Sequence, residues 1–152
     1  MTKILSVKNK HEEDVLRRKT YDFDFGKFKK SEVSELIKKM RITMDEADGI
    51  GLSANQIGLS FSVFVAKADK KFYAIFNPKI TKESSSEVGG EEGCLSVPQV
   101  YGEVFRPDKI TLTGLDKNGK KIKIKAWGLL SRVFQHEVDH LNGKLFTDRI
   151  KK

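Results

Sequence analysis

The sequence predicts a single domain that mixes α-helix with β-strand, and three observations carry that reading. Segments 31–47 and 128–142 repeat apolar residues at three- and four-residue intervals, the period of a helix with one buried face. Runs at 62–66, 72–78 and 109–127 carry the shorter period and turn residues of strands. Finally, 152 residues with 38% hydrophobic and 33% charged side chains suffice for one buried core and are few for two.

Taken in order, the N-terminal MTKILSVKNKHEEDVLRRK has no long apolar stretch and carries acids early, so neither a secretory signal nor a typical transit peptide is expected. From Ser31 to Ala47, Val33, Leu36, Ile37, Met40, Met44 and Ala47 form an amphipathic stripe, with Ser31 as the expected N-cap and Gly49 as the terminator. A glycine-bearing segment, GIGLSANQIG, leads to the β-like runs SVFVA (62–66) and FYAIFNP (72–78). KESSSEVGGEEG reads as a polar loop by composition. In KITLTGLDKNGKKIKIKAW two period-two runs flank Asn118-Gly119, a strong hairpin signal. Lys121, Lys123 and Lys125 alternate with Ile122 and Ile124, giving that strand one wet and one buried face. The last helix runs from about Gly128 to Asn142 and stops at Gly143. On it Leu129, Val133, His136 and His140 share one face, so the histidines point into the body of the protein.

Composition excludes several classes of function. Three prolines and no biased tract argue against disorder, and no stretch resembles a membrane span. Cys94 is the only cysteine, so no intrachain disulfide can form and a reducing, cytoplasmic setting is expected. The net charge of +8 comes mostly from scattered lysines without the interleaved aromatics of a nucleic-acid platform. A solvated lysine-rich surface is expected, alongside a weaker reading of electrostatic attraction to an anionic partner such as ribosomal RNA.

The chemistry concentrates in QHEVDH, 135–140. Histidines at i and i+4 place both imidazoles over one point, and Glu137 follows the first directly. The plainer reading is a helix with neutral, internally satisfied buried histidines. A catalytic ion of the zinc or ferrous kind needs a third protein ligand. No glutamate follows among the twelve residues after His140, which closes one route taken by zinc proteases. The extended pattern HExxHxxGxxH is matched through its glycine in HEVDHLNGKLF, but its last position is Phe146, which cannot coordinate. Asp148, the only later carboxylate, lies past the helix stop. Upstream, Cys94 in EEGCLSVP is the best candidate and His11, in a charged segment near the terminus, the alternative. A lone cysteine is more often a small buried apolar residue. Here a glycine and acids flank it, directly after a polar segment, and a His₂Cys set would leave a fourth corner open.

GIGLSANQ (49–56), EGCLS (92–96) and QHEVDHLNG (135–143), in that order and at these separations, resemble the three signature motifs of peptide deformylases. The resemblance extends over roughly Ile4 to Arg149. It implies an α+β fold with antiparallel sheets packed around the HExxH helix, plus an N-terminal amphipathic helix, in one domain spanning 1–152. It also implies removal of the N-formyl group from nascent polypeptides that begin with formylmethionine, with one divalent ion on Cys94, His136 and His140. Fe2+ would be the cellular metal, with Zn2+, Ni2+ or Co2+ able to replace it. Two departures stand out. Ser53 occupies a position that is more often alanine, and the chain ends soon after the motif helix, so an additional C-terminal helix for ribosome docking is not expected. Ribosome contact would then be weak, with no DNA or membrane partner and a monomeric enzyme.

An amide resists hydrolysis, so such a site must activate water, hold an oxyanion and protonate the leaving nitrogen. Glu137, beside His136, can accept the water's proton and later deliver it. By resemblance, the side-chain amide of Gln56 and the backbone N–H of Leu95 donate to the oxyanion. The peptide backbone would pair with Ile50, Gly51 and Gly93, where the missing Cβ of each glycine allows close approach. Val133 and Leu129 are candidate walls of the methionine pocket, Ile50 lies opposite, and all three could be ordinary core. Glu92 and Arg106 match family positions for an ion pair behind Cys94. Two rival readings share parts of the pattern: a zincin-type endopeptidase, and a degenerate deformylase that binds metal without catalysis.

Overall fold

The computed structural model describes residues 2–150. Its elements follow in the order α1 (Lys10–Leu16), α2 (Lys30–Glu46), β1 (Gly51–Ser53), β2 (Val63–Ala68), β3 (Lys71–Glu83), β4 (Glu87–Cys94), β5 (Val97–Pro107), β6 (Lys109–Leu115), β7 (Lys121–Trp127) and α3 (Gly128–Leu141). Short 3-10 turns cover Phe25–Lys27, Ala54–Ile57 and Phe146–Arg149. Five strands form one antiparallel sheet in the order β1-β2-β3-β6-β7, and β4 pairs with β5 as a separate two-stranded sheet. The fold is α+β, as expected, with α3 lying against the large sheet and the β4–β5 hairpin. Among the described residues no helix is long and apolar enough to cross a membrane.

The run VFVA in β2 shows how the layers are built. Phe64 and Ala66 pack with Phe134 and Val138 of α3, whereas Val63 and Val65 pack on the opposite face with Met40 and Met44 of α2. A strand covered on both faces reads as continuous rather than alternating apolar sequence. Each large side chain buried this way is worth roughly 1.5–3 kcal/mol. A smaller cluster of Val97, Val104, Leu145 and Phe146 holds the hairpin to the C-terminal segment.

Several local expectations give way to other physics. The N-cap of α2 is Lys29, not Ser31: the Glu32 carboxylate accepts the Lys29 N–H at 2.8 Å, so the helix begins earlier and Ser31 falls in its first turn. Gly49 does not make the left-handed turn that ends α2. Asp48 does, at φ 55°, while the Gly49 N–H reaches the Met44 carbonyl at 2.9 Å and the Asp48 N–H the Asp45 carbonyl at 3.1 Å. The supposed polar loop contains β4, because eight residues poor in apolar side chains find in β5 a partner for their backbone hydrogen bonds. The β6–β7 hairpin turns through Asp116–Gly119, with Gly119 at φ 77° and the Asp116 carboxylate accepting the N–H groups of Asn118 and Lys120. Asn118-Gly119 therefore forms the end of that turn and not its centre. Leu129, expected on the inward face of α3, is 52% exposed.

Candidate active site

Three elements converge on one point. Cys94 is the last residue of β4, and α3 presents His136 and His140 one turn apart. The ligand atoms of these three residues all lie within 4.8 Å of one another. His140 Nε2 is 3.2 Å from both Cys94 Sγ and His136 Nε2. Bonds of about 2.0–2.3 Å to a tetrahedral ion would set such donor pairs about 3.3–3.6 Å apart, so the set fits a divalent ion. The donors also fit by type, since thiolate and imidazole suit zinc and ferrous iron. His11, the alternative ligand, is exposed on α1 and does not belong to the cluster.

Two of the three ligands have a supporting hydrogen bond. His136 Nδ1 lies 2.9 Å from Glu92 Oε1, the carboxylate–histidine arrangement that orients a ligating ring. Glu92 also accepts from Arg106 (Nε 2.6 Å, Nη2 2.9 Å) and from Arg132 Nη1 at 2.6 Å. Arg106 continues to Asp139 at 3.0 Å, and Asp139 is held by Arg149. The expected Glu92–Arg106 pair is therefore present, but it stands behind His136, whereas Cys94 is approached by the Ser96 N–H at 3.4 Å. Burial works against the charge on Glu92, and hydrogen bonds from Arg106 and His136 more than offset it, holding the carboxyl far below the usual range. Burial likewise opposes charging of His136, but hydrogen bonds with Cys94 and Glu92 raise it to about 10. Burial depresses His140 well below its ordinary value, and its Nδ1 has no partner.

The 3-10 turn at Ala54–Ile57 supplies the opposite wall. Gln56 Oε1 accepts the Ser53 backbone N–H at 3.0 Å, which turns the amide NH₂ toward Ser96 Oγ (3.0 Å) and Cys94 Sγ (3.7 Å). Asn55 links the same turn to α3 by donating to the His140 carbonyl at 2.6 Å and accepting from Ser53 Oγ at 2.6 Å. The serine that departs from the alanine pattern is thus completely buried and hydrogen-bonded.

Glu137 is 3% exposed, its Oε1 has no partner, and burial pushes its carboxyl up to about 7. It packs on Gly51, where an added Cβ would sit 2.9 Å from the carboxyl carbon. The missing side chain at 51 therefore makes room for Glu137. At Gly93 a Cβ would lie 2.7 Å from the Tyr101 ring.

A cleft of about 510 Å³ runs across the cluster. Gln56, Cys94, Leu95, His136 and Glu137 line it, as do the expected substrate contacts Ile50, Gly51, Gly93, Leu129 and Val133. Ile50 and Leu129 stand half exposed at its rim, while Val133 is buried. His140 and Arg106 lie behind the lining. Arg132 and Asp139 escaped the sequence reading, although Arg132 stands one helical turn before His136, a spacing that could have exposed it. Ser53 and Asn55 carry no signal beyond their closeness to Gln56.

The chain's resemblances agree with this geometry. The family model for polypeptide deformylase matches residues 1–152. The peptide deformylase of Treponema pallidum (strain Nichols) is 45% identical over 124 residues, covering 79% of this chain and 76% of that protein. The crystal structure of peptide deformylase from Thermotoga maritima superposes with a TM-score of 0.91 at 33% identity, covering 100% of this chain and 99% of the other. A Synechococcus elongatus peptide deformylase in complex with actinonin gives 0.89 at 35% identity over 99% of this chain and 79% of its own. A cysteine and two histidines able to hold an ion, a buried glutamate beside them and a full-length family match lead to one conclusion: the chain belongs to the polypeptide deformylase family.

Proposed function

We propose that this chain, working as a single domain, is a metal-dependent hydrolase that removes the N-formyl group from formylmethionine at the start of nascent polypeptides, with Glu137 as its acid–base group. The observation that carries this reading is that Cys94 and His136, clustered with His140 behind them, line one cleft together with Glu137 and Gln56. A divalent ion held by the three ligands supplies a Lewis acid that polarises the formyl carbonyl and makes water nucleophilic near neutral pH. Ferrous iron is the proposed cellular ion, with Zn2+, Ni2+ or Co2+ as substitutes.

Glu137 accepts a proton from the attacking water as the oxygen bonds to the formyl carbon. It returns that proton to the peptide nitrogen as the carbon–nitrogen bond breaks, and the remaining acidic proton of the formic acid passes to the amine, so formate and an ammonium terminus leave. The Gln56 amide, oriented by Ser53, and the backbone N–H of Leu95 donate to the carbonyl oxygen as its charge grows. Ile50, Gly51 and Gly93 offer backbone groups along the cleft for strand-like pairing with the peptide. Val133 forms the floor of the methionine pocket and Leu129 its rim. The proposed setting is a monomeric cytoplasmic enzyme that meets nascent chains with weak ribosome association.

Formate release from formyl-Met-Ala-Ser, measured on anaerobically prepared iron protein before and after chelation, tests the reading. Chelator-sensitive release is expected. Cleavage at an internal peptide bond instead would favour an endopeptidase, and no release from the metal-loaded protein would favour a degenerate binding module.

A further inference from the structure

The lysines that look scattered along the sequence are not scattered on the fold. Strand register places Lys79, Thr113 and Lys123 side by side across β3, β6 and β7, and Lys82, Thr111 and Lys125 in a parallel row beside them. Lys109 pairs with Trp127 at one end of the same face, and Lys121 with Leu115 at the other. The opposite face of β6 and β7 carries Ile110, Leu112 and Ala126 into the core under α3. All six lysines are exposed, and none takes part in an ion pair among the described residues. Glu83 borders the patch but is in register with Ile110, which belongs to the other face.

Trp127 is the chain's only tryptophan and is 66% exposed. It stands beside the lysine rows at the N-cap of α3, two residues before Leu129 on the cleft rim. The interleaved aromatic missing from the linear sequence is thus supplied by the fold. Lysines two residues apart on one strand are about 6.8 Å apart, a spacing suited to successive phosphates of an extended nucleic-acid backbone. An exposed indole at the end of such rows offers a face on which an unpaired base can stack. The rows themselves hold only threonine between lysines, so no apolar side chain at the centre of the charge adds lipid insertion to the electrostatic attraction.

We propose that the outer face of β3, β6 and β7 is a docking surface for RNA with unpaired nucleotides, which sets phosphates on the two lysine rows and a base on Trp127. RNA as the physiological polyanion rests on the proposed action on nascent chains, which emerge beside RNA. The surface's capacity to bind nucleotides does not depend on that action. Docking there would hold the cleft next to the bound RNA, because β7 runs directly into the helix that forms the cleft wall.

The single tryptophan makes the test direct. The full-length protein is titrated with a single-stranded RNA of about 12 nucleotides at about 50 and about 200 mM salt while Trp127 fluorescence is followed. Labelled-RNA anisotropy reads the variants, and formate release from a short formylated peptide reads the active site separately. Saturable quenching is expected, weakening steeply with salt. The triple change Lys121→Gln, Lys123→Gln and Lys125→Gln should weaken binding at least about tenfold and lower the slope of log affinity against log salt by about 2–3, with formate release unchanged. Trp127→Ala should weaken single-stranded RNA more than duplex RNA. As a control, Lys30→Gln, Lys38→Gln and Lys39→Gln on α2 remove the same charge and should leave most of the affinity. No quenching at low salt would overturn the proposal, and equal loss in both triples would reduce it to general charge attraction. Tighter binding to phosphatidylserine vesicles than to RNA, with a blue shift of Trp127, would assign the face to membranes instead.

Discussion

Glu137 is costly to the metal-free fold, and in the proposed mechanism it carries the proton transfers. Its buried carboxyl titrates near 7 in the folded chain and near 4.5 when solvated. The unfolded state therefore ionises first, and the folded state loses stability as pH rises through that window. Glu137→Gln removes the loss. The metal-free variant should match metal-free wild type near pH 4.5 and exceed it by about 2–3 kcal/mol at pH 8, as read from thermal melts. The same variant should bind metal and release almost no formate, and full activity in it would remove Glu137 from the mechanism. Gln56 is the second informative position. Gln56→Ala should lower kcat by about 10²–10³ at constant metal content. A change confined to KM would make Gln56 a binding residue and not an oxyanion donor.

At the scale of elements, the site is a meeting of β4, α3 and the 3-10 turn after β1, joined by buried polar groups. Arg106 and Glu92 are 2% and 7% exposed, so Arg106→Ala leaves a carboxylate with one fewer partner inside the protein. It should cost about 3–5 kcal/mol of stability. Loosening of His136 should weaken metal affinity by about 10–100-fold, measured by competition with a chelator. Unchanged melting and metal binding would mean that Arg132 alone suffices to hold Glu92. Helices α2 and α3 and the histidine pair were legible because their period and spacing are local, whereas the short α1 (Lys10–Leu16) was not read from its charged sequence. The network was not, because Asp139 and Arg149 acquire meaning only when α3 and the C-terminal turn come together. Strand β4 was hidden for a related reason: its glycines and acids have little β-propensity of their own, and its pairing with β5 is a property of the hairpin. Leu129 misled because helical phase places a residue on a face without saying where that face leaves the core.

The molecule as a whole is a sheet with a helix on each side and a hairpin laid across one of them. The outer helix α2 covers the β1–β3 end of the sheet, and the lysine face of β6 and β7 lies beyond it. Composition forecast the excess charge, but only strand register could gather it onto one surface. Chelation should lower the melting temperature as well as abolish activity, because an ion that binds only the folded chain stabilises it by an amount that grows with the logarithm of its concentration over Kd. Equal melting of loaded and stripped protein would argue against the cluster as a tight site. Aerobic ageing of the iron form should inactivate it as Cys94 oxidises, and the zinc form should last longer.

The separateness of the two sheets carries one more consequence. Among the described residues the β4–β5 hairpin is a two-stranded sheet of its own, tied by backbone to the five-stranded one only at its base, where the Ser84 N–H donates to the Lys109 carbonyl at 2.8 Å and the Asp108 N–H to the Ser86 carbonyl at 3.1 Å. An ion shared between Cys94 and the helix histidines therefore acts as a covalent-like cross-link in a chain that has no disulfide, closing the long loop between β4 and α3. Opening of the hairpin should then cost less once the ion is removed, because one of the ties between β4 and α3 goes with it. Amide hydrogen exchange in Glu87–Pro107 should speed up on chelation well before exchange in β2 or α3 does.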